Sequence, residues 1–330
     1  MKKLTIFTVA VCLVTATTGF GANLIVNGDF EAGSIAPATT EYYLETAYGT
    51  WTMGEEGEYA VDTNPHLFHS AWASYGDHTT GSGKMLIVNA AYNGSVPPYG
   101  DISGIEVVWE QTVPVTPGKN YLLSYWLSSA YHTNLAEIQC SINGTPLSPT
   151  ADAPAAVGVW QEVSYTWNSG LSASATITLK DLTRIASGDD FAIDDISLLQ
   201  ERCETAFALG DDATCFTDLG FKNWGWSNEI SDGESLTWPL WAGAGQCDTG
   251  KGMLVGSVDV AYNDASDTVV VNIDLDEGYT LCESHVYAGD AQVPKNKKGK
   301  PTVAPGQYYI EADLVDEIYV IVHAVVCWFE

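Results

Sequence analysis

Two carboxylates set side by side in an apolar strand are the first residues that call for chemistry. The stretch DDFAIDDISL, residues 189–198, alternates Phe191 and Ile193 with smaller neighbours in the period of a half-buried strand, and Asp194 and Asp195 interrupt it. Unpaired charge inside a sheet is expensive. A bound hard cation removes that cost, and calcium takes its ligands from carboxylates and backbone carbonyls. Near the start of the chain, NLIVNGDFE (residues 23–31) runs an apolar strand into a turn and a second acidic pair ending at Glu31. Glu31, Asp194 and Asp195, with carbonyls of the glycine-rich loop at 81–84, form the candidate site for a structural Ca2+. The competing account is a solvated acidic edge that keeps the sheet from pairing with other chains.

A second chemistry needs flat rings and planar polar groups, which together recognise the apolar face and the hydroxyls of a sugar. Trp126 falls on the same strand face as Ser124 and Ser128, opposite Tyr121, Leu123, Tyr125 and Leu127. Trp109 and Gln111 alternate onto one face of another strand. Tyr131 follows the Trp126 strand into a loop, and Asp77 stands among Trp72, Tyr75 and His78. These give the candidate ligand set Trp126, Trp109, Gln111, Tyr131 and Asp77; for any single ring, core packing is the competing reading. Four further tryptophans, at 224, 226, 238 and 241, are read as the core of a small domain. Enzymatic activity is not expected: there is no Gly-x-Ser-x-Gly, His-Glu-x-x-His or phosphate loop, and carboxylates are too abundant for any pair to be informative. His285 and His323 could meet as metal ligands, but no Cys/His spacing supports zinc.

The elements that must position these residues are strands. Residues 121–128, 163–167 and 175–179 alternate with period two, and Asn143-Gly144 is a hairpin signal between two such runs. Residues 42–83, rich in Gly, Tyr, His and Asp, alternate weakly and predict long loops over one end of a sandwich, a length that usually serves a function. Strands resume at 253–262, 268–275, 285–287 and 318–327, with a hairpin turn at 264–267, and no sorting tail is expected after the last of them.

NLIVNGDFE and FAIDDISL resemble the first and last strands of galactose-binding-like jelly rolls, a group that includes carbohydrate-binding modules. GDHTTGSGKMLIVN, VVWEQTVPVTPGKNY, SINGTPL and TWNSG, between them, resemble a repeat domain of secreted and surface-exposed bacterial proteins. The resemblance implies a structural calcium where the first and last strands meet. CETAF, WGW, LWAGAGQC, VAPGQY and VHAVVC resemble a small cysteine-containing domain of secreted bacterial proteins, with no activity attached to it.

Composition narrows the partners. Thirteen Lys and Arg against 42 Asp and Glu give a net charge of −29, which repels nucleic acid and anionic lipid. The basic exception is Lys295, Lys297, Lys298 and Lys300, either a solvated hairpin tip or a dock for an acidic neighbour. Residues 1–22, with Lys2, Lys3 and an apolar run, read as a secretory leader too short to span a membrane. Of seven cysteines, Cys12 falls in that leader, and Cys140 alternates with Ile138 and Ile142 as a buried thiol. Cys203, Cys215, Cys247, Cys282 and Cys327 predict two disulfides and one thiol left over, with the pairing open.

The expectation is therefore an all-β secreted protein: a leader (1–22), a galactose-binding-like jelly-roll β-sandwich (23–199), and a second, smaller, disulfide-containing β-sandwich (200–330). Its expected role is extracellular, non-catalytic binding of a glycan or cell-surface polysaccharide. The alternative is a matrix or fibre subunit that self-associates through protein–protein contacts.

Overall fold

The computed structural model describes residues 23–330, so the leader and Cys12 lie outside the described residues. The chain is a jelly-roll β-sandwich followed by a second, smaller, disulfide-containing β-sandwich. Among the described residues the compact units are 23–201 and 202–329.

In the first unit one sheet runs in the order Ala151–Asp152, Glu137–Ile142, Ser174–Asp181, Val107–Pro114. The other runs Tyr43–Leu44, Glu58–Asp62, Met85–Asn89, the first part of Phe191–Ala208, Asn120–Ser129, Gln161–Asn168. Neighbours distant in sequence are the mark of jelly-roll crossing. Period-two alternation decides the faces. Tyr121, Leu123, Tyr125 and Leu127 point inward from one sheet, and Ile138, Cys140, Ile177 and Leu179 meet them from the other. Asn143 and Gly144 take φ of 51° and 75°, the left-handed pair that a two-residue hairpin requires.

Two features were not expected. The Met85–Asn89 strand is buried on both faces. Leu86 and Val88 belong to the main core, while Met85 and Ile87 pack with Met53, Phe68, Trp72 and Ala192 in a second cluster. The long region 42–83 supplies Met53, Phe68 and Trp72 to that cluster, so these loops carry a small core of their own.

The amino-terminal segment, expected as a strand, is irregular. It is tied to the closing strand by Leu24 N–H to Leu198 O (3.1 Å), and by Asn23, whose carboxamide oxygen accepts from Leu198 N–H (2.9 Å) while its NH2 donates to Ile196 O (3.1 Å). A turn with Asn27 and Phe30 at positive φ follows, and at Gly28 any side chain would run into the Ile196 carbonyl. The ladder fails here because Asn23 and Gln111 side chains replace backbone partners. Gln111 accepts from Val26 N–H (2.9 Å) and donates to Val26 O (3.0 Å), as a strand residue would.

In the second unit Ala206–Ala208 pairs with Ser235–Ala242, then Met253–Asn263 and Thr268–Leu275. Opposite, Thr214–Cys215, Trp226–Ser231, Glu317–Phe329 and Thr280–Gly289 form a run. Trp226 and Trp238 are buried and Trp224 and Trp241 partly so, each in a core cluster, as the sequence suggests. Cys215 pairs with Cys247, Cys327 lies against both Cys203 and Cys282, and Cys140 is a free, buried thiol.

Because Gln111 closes the Val26 backbone, Gln111→Ala leaves a part-buried N–H and C=O without partners. It is expected to cost about 1–3 kcal/mol in chemical denaturation, with no loss of ligand retention. A loss of retention at unchanged stability would return Gln111 to the ligand set.

Candidate functional site

The paired acids sit at a β-bulge. Register against Asn120–Ser129 shifts between Asp194 and Ser197, and Asp195 takes φ of 48°. A bulge turns consecutive side chains out of alternation, and here both carboxylates reach the loop at 76–84. Asp194 Oδ2 accepts from His78 N–H (2.9 Å), and Asp195 Oδ2 meets His78 Nδ1 at 2.7 Å and takes the Thr79 hydroxyl. Asp77 accepts from Thr80 N–H (2.8 Å) and Gly83 N–H (2.6 Å), and Glu31 Oε1 from Lys84 N–H (2.7 Å). One short loop thus gathers Glu31, Asp77, Asp194 and Asp195, the three expected cation residues plus one assigned to ligand.

The electrostatics are unfavourable as they stand. Burial, followed by the charge of Asp195, pushes Asp194 up to about 8. Asp77 is held below the usual range by the amides and hydroxyl it accepts from, against a burial penalty acting the other way. Asp77 is therefore a loop-fixing residue, which corrects its expected place in the ligand set.

The other expected ligand residues also move. Trp109 is fully buried, so it has no face to offer a ligand, and Gln111 is the clamp on Val26. Trp109 and Gln111 do share a face, but it is the inward one, and the Val107–Pro114 strand is covered on its other side as well at Val108. Trp126 is half-buried and stacks on His78 with ring centroids 3.6 Å apart and planes at 13°, so one face is taken by the loop it supports. Tyr131 packs against the Met53–Phe68–Trp72 cluster.

The residues with the exposed surface that stacking requires lie in the loop region. Tyr48 and Trp51 are each 64% exposed. Their backbone is fixed: Gly49 N–H donates to Leu67 O (3.0 Å), Ser70 N–H to Thr50 O (2.9 Å) and Thr52 N–H to Phe68 O (3.0 Å). The Trp51 ring stands edge-on to His69 at 4.0 Å, and Tyr48 leans on Phe68 while its hydroxyl donates to Asp62 Oδ2 (2.7 Å). Leu44 and Leu67 are also exposed. A ring held by a buried ring behind it, with a carboxylate beside it, is the arrangement a sugar would need. The only sequence signal was the composition of residues 42–83.

A further acidic group was missed. Glu56, Asp181, Asp189 and Asp190 come from three separate segments and interact through their charges, and Glu56 Oε2, Asp181 Oδ2 and Asp189 Oδ1 are buried without a hydrogen-bond partner. Burial pushes Asp189 up to about 9, Glu56 to about 7 and Asp181 to about 6. Asp190, which accepts from Trp72 Nε1 (2.9 Å), is raised well above the ordinary range, again by burial first. Among the described residues, the set of three Cys, His, Asp or Glu whose ligand atoms lie within 4.8 Å of one another is Cys203, Cys282 and Cys327. A cation on either acidic group would therefore need backbone carbonyls as well. His285 and His323 do meet, Nδ1 to Nδ1 at 3.4 Å, and burial, with the neighbouring His285, lowers His323 to about 4.

No protein-family model matches the chain, and no curated protein does. Among solved structures, a chain described as the EclA C-terminal domain, a sugar-binding protein, is 14% identical with a TM-score of 0.25; the match covers 27% of this chain and 64% of that one. A chain titled "CBM4 structure and function" is also 14% identical, with a TM-score of 0.24, over 42% of this chain and 84% of that one. The resemblance drawn for residues 203–329 finds no support in these matches.

The buried acids set a pH dependence. Their folded values lie above those of the unfolded chain, so the folded state holds the extra protons. The stability they contribute is present in acid and is lost as pH rises through the folded values. In chelator, the first unit should melt progressively lower between about pH 5 and pH 9, and Asp189→Asn should flatten that slope. A pH-independent melting temperature would remove the acid group from the stability of this unit.

Proposed function

We propose that the chain is a secreted, non-catalytic carbohydrate-binding protein of the extracellular surface or matrix, with calcium holding the loop at 76–84. The observation that carries the binding role is the Tyr48–Trp51 surface: two large exposed rings on a backbone fixed by loop-to-loop hydrogen bonds. Exposed tryptophan and tyrosine on a prefixed loop lose little entropy on binding, and a pyranose stacked on one such ring gains on the order of 1 kcal/mol. Asp62, beside Tyr48, supplies an acceptor for sugar hydroxyls. The disulfide of Cys215 with Cys247 suits an oxidising compartment.

Calcium is supported by the burial of Asp194 beside two further carboxylates. Burial first, and then the charges of Asp195 and Asp77, raise Asp194, and a divalent cation among them would relieve what the amides alone do not. Glu31, Asp194 and Asp195 would hold it, with carbonyls of the same loop, and its role would be structural.

The second reading, a self-associating subunit, rests on Lys295, Lys297, Lys298 and Lys300, all exposed on one turn of a strongly acidic chain.

Two measurements test these assignments. Calcium should raise the melting temperature and excess chelator lower it, since an ion held only by the folded state stabilises it by mass action; an unchanged melt in chelator ends the calcium assignment. On a glycan array, Trp51→Ala should weaken retention about fivefold at unchanged stability, the equivalent of roughly 1 kcal/mol. Trp126→Ala should instead lower stability by releasing the loop. Retention that survives Trp51→Ala ends the Tyr48–Trp51 assignment; if the parent chain is retained by no glycan while neutralising the four lysines abolishes salt-sensitive self-association, the subunit reading replaces the glycan one.

A further inference from the structure

Three of the second unit's cysteines converge where a pair would be expected. Their sulfurs lie within 4.8 Å of one another, and Cys327 is placed as a disulfide partner of both Cys203 and Cys282. The Cα separations to Cys327, 4.0 and 6.4 Å, leave both partners within bridging reach without a large backbone movement.

The fold builds this convergence. Cys327 lies near the end of the Glu317–Phe329 strand, which pairs with both Phe191–Ala208 and Thr280–Gly289. Within Thr280–Gly289 the register slips between Leu281 and Glu283, opposite Val326 and Val325, so that Cys282 is the extra, bulged residue. A bulge re-aims a side chain, and this one accompanies the approach of Cys282 to a sulfur already within reach of Cys203.

A sulfur makes one disulfide bond, so one of the three remains a thiol whenever the other two are bridged. Exposure decides which. Cys327 is 2% exposed, whereas Cys203 and Cys282 are both exposed. The buried cysteine is common to both bridges, and the residue left over is in either case an exposed one.

We propose that Cys203, Cys282 and Cys327 form a thiol–disulfide exchange site whose bridge alternates between Cys203–Cys327 and Cys282–Cys327, always presenting one surface thiol to external disulfides. In the internal step the Cys203 thiolate attacks Cys327 Sγ. The Cys282–Cys327 bond breaks, its electron pair leaves on Cys282 Sγ, and the new bond joins Cys203 to Cys327. The reverse step restores the first state, and neither requires an oxidant. In the external step the exposed thiolate attacks a disulfide R–S–S–R, a mixed disulfide forms, and R–S⁻ leaves. The substrate class is a small or protein disulfide. Cys140 takes no part, because burial pushes its thiol up to about 12 and hides it in the first core. The proposal is independent of glycan binding.

The test uses the secreted full chain without reduction. Exposed thiols are trapped with a maleimide under native conditions, and peptide mass spectrometry then locates the label and the bridges. The expected result is one label per chain divided between Cys203 and Cys282, none on Cys327, and both bridges present. Oxidised glutathione should add one adduct at the same two residues. Cys203→Ser and Cys282→Ser should each abolish both label and adduct while fixing the remaining bridge, with the Cys215–Cys247 bridge as an internal control of folding. Label confined to one residue with one bridge would overturn exchange. So would unlabelled cysteines holding a stoichiometric equivalent of zinc by elemental analysis, which would make the trio a thiolate metal site. Absence of label without metal would also overturn it.

Discussion

Burying carboxylates in a core with few cations is the constraint that shapes the first unit. The segment 189–198 enters the sheet between Met85–Asn89 and Asn120–Ser129 with Asp189 and Asp190 just before the strand and Asp194 at its bulge. A buried carboxylate must find donors or keep its proton. Asp194 and Asp195 find theirs in the loop at 76–84, which thereby acquires a fixed path. Asp190 finds one in Trp72, which brings the long loops onto the outer face of the sheet. Asp181 and Asp189 find too few and are left with unpartnered oxygens. The loops over this sandwich are held by the acids beneath them as well as by apolar contact.

The strand plan was legible in the sequence because a sheet with one buried face writes a period of two into its residues. Where both faces are buried the period no longer says which residues are accessible. Trp109 shares its face with Gln111 and Val113, all three buried, and Val108 beside it is buried too, so alternation gave the face without saying that it is the inward one. Trp126 was correctly placed off the main core. What alternation could not show was a loop 48 residues upstream laying His78 flat on that ring. Tyr48 and Trp51 lie outside any regular element, where there is no period to read. Their exposure follows from hydrogen bonds between residues 49–52 and 67–70 that leave no local mark. Glu56 joins Asp181, Asp189 and Asp190 across more than a hundred residues, a distance no motif spans.

Amide side chains standing in for backbone explain the departure at the amino-terminal segment. Asn23 and Gln111 each offer one acceptor and one donor in a plane, the same pair a strand residue presents. Leu198 and Val26 accept these substitutes, so the segment follows the closing strand without becoming one. The apolar pattern LIV was therefore a true signal of adjacency and a false one of ladder pairing. Gly28 marks where the two paths cross too closely for a side chain.

The binding surface proposed for this scaffold has to be both exposed and still, and those demands usually conflict. Exposed rings on free loops lose conformational entropy when a ligand orders them. Rings rigid enough to avoid that cost are normally rigid because they are buried, as Trp109 and Trp72 are here. Residues 42–83 resolve the conflict by stacking two tiers. Met53, Phe68 and Trp72 are buried against the sheet and anchor the backbone. Tyr48 and Trp51 rest on the far side of that anchor, on Phe68 and His69, and keep most of their surface in water. The stillness comes from the lower tier and the accessible face from the upper one. A long loop with its own small core can therefore carry a ligand face that the alternating strands, whose inward rings are all spoken for by packing, have no room to provide.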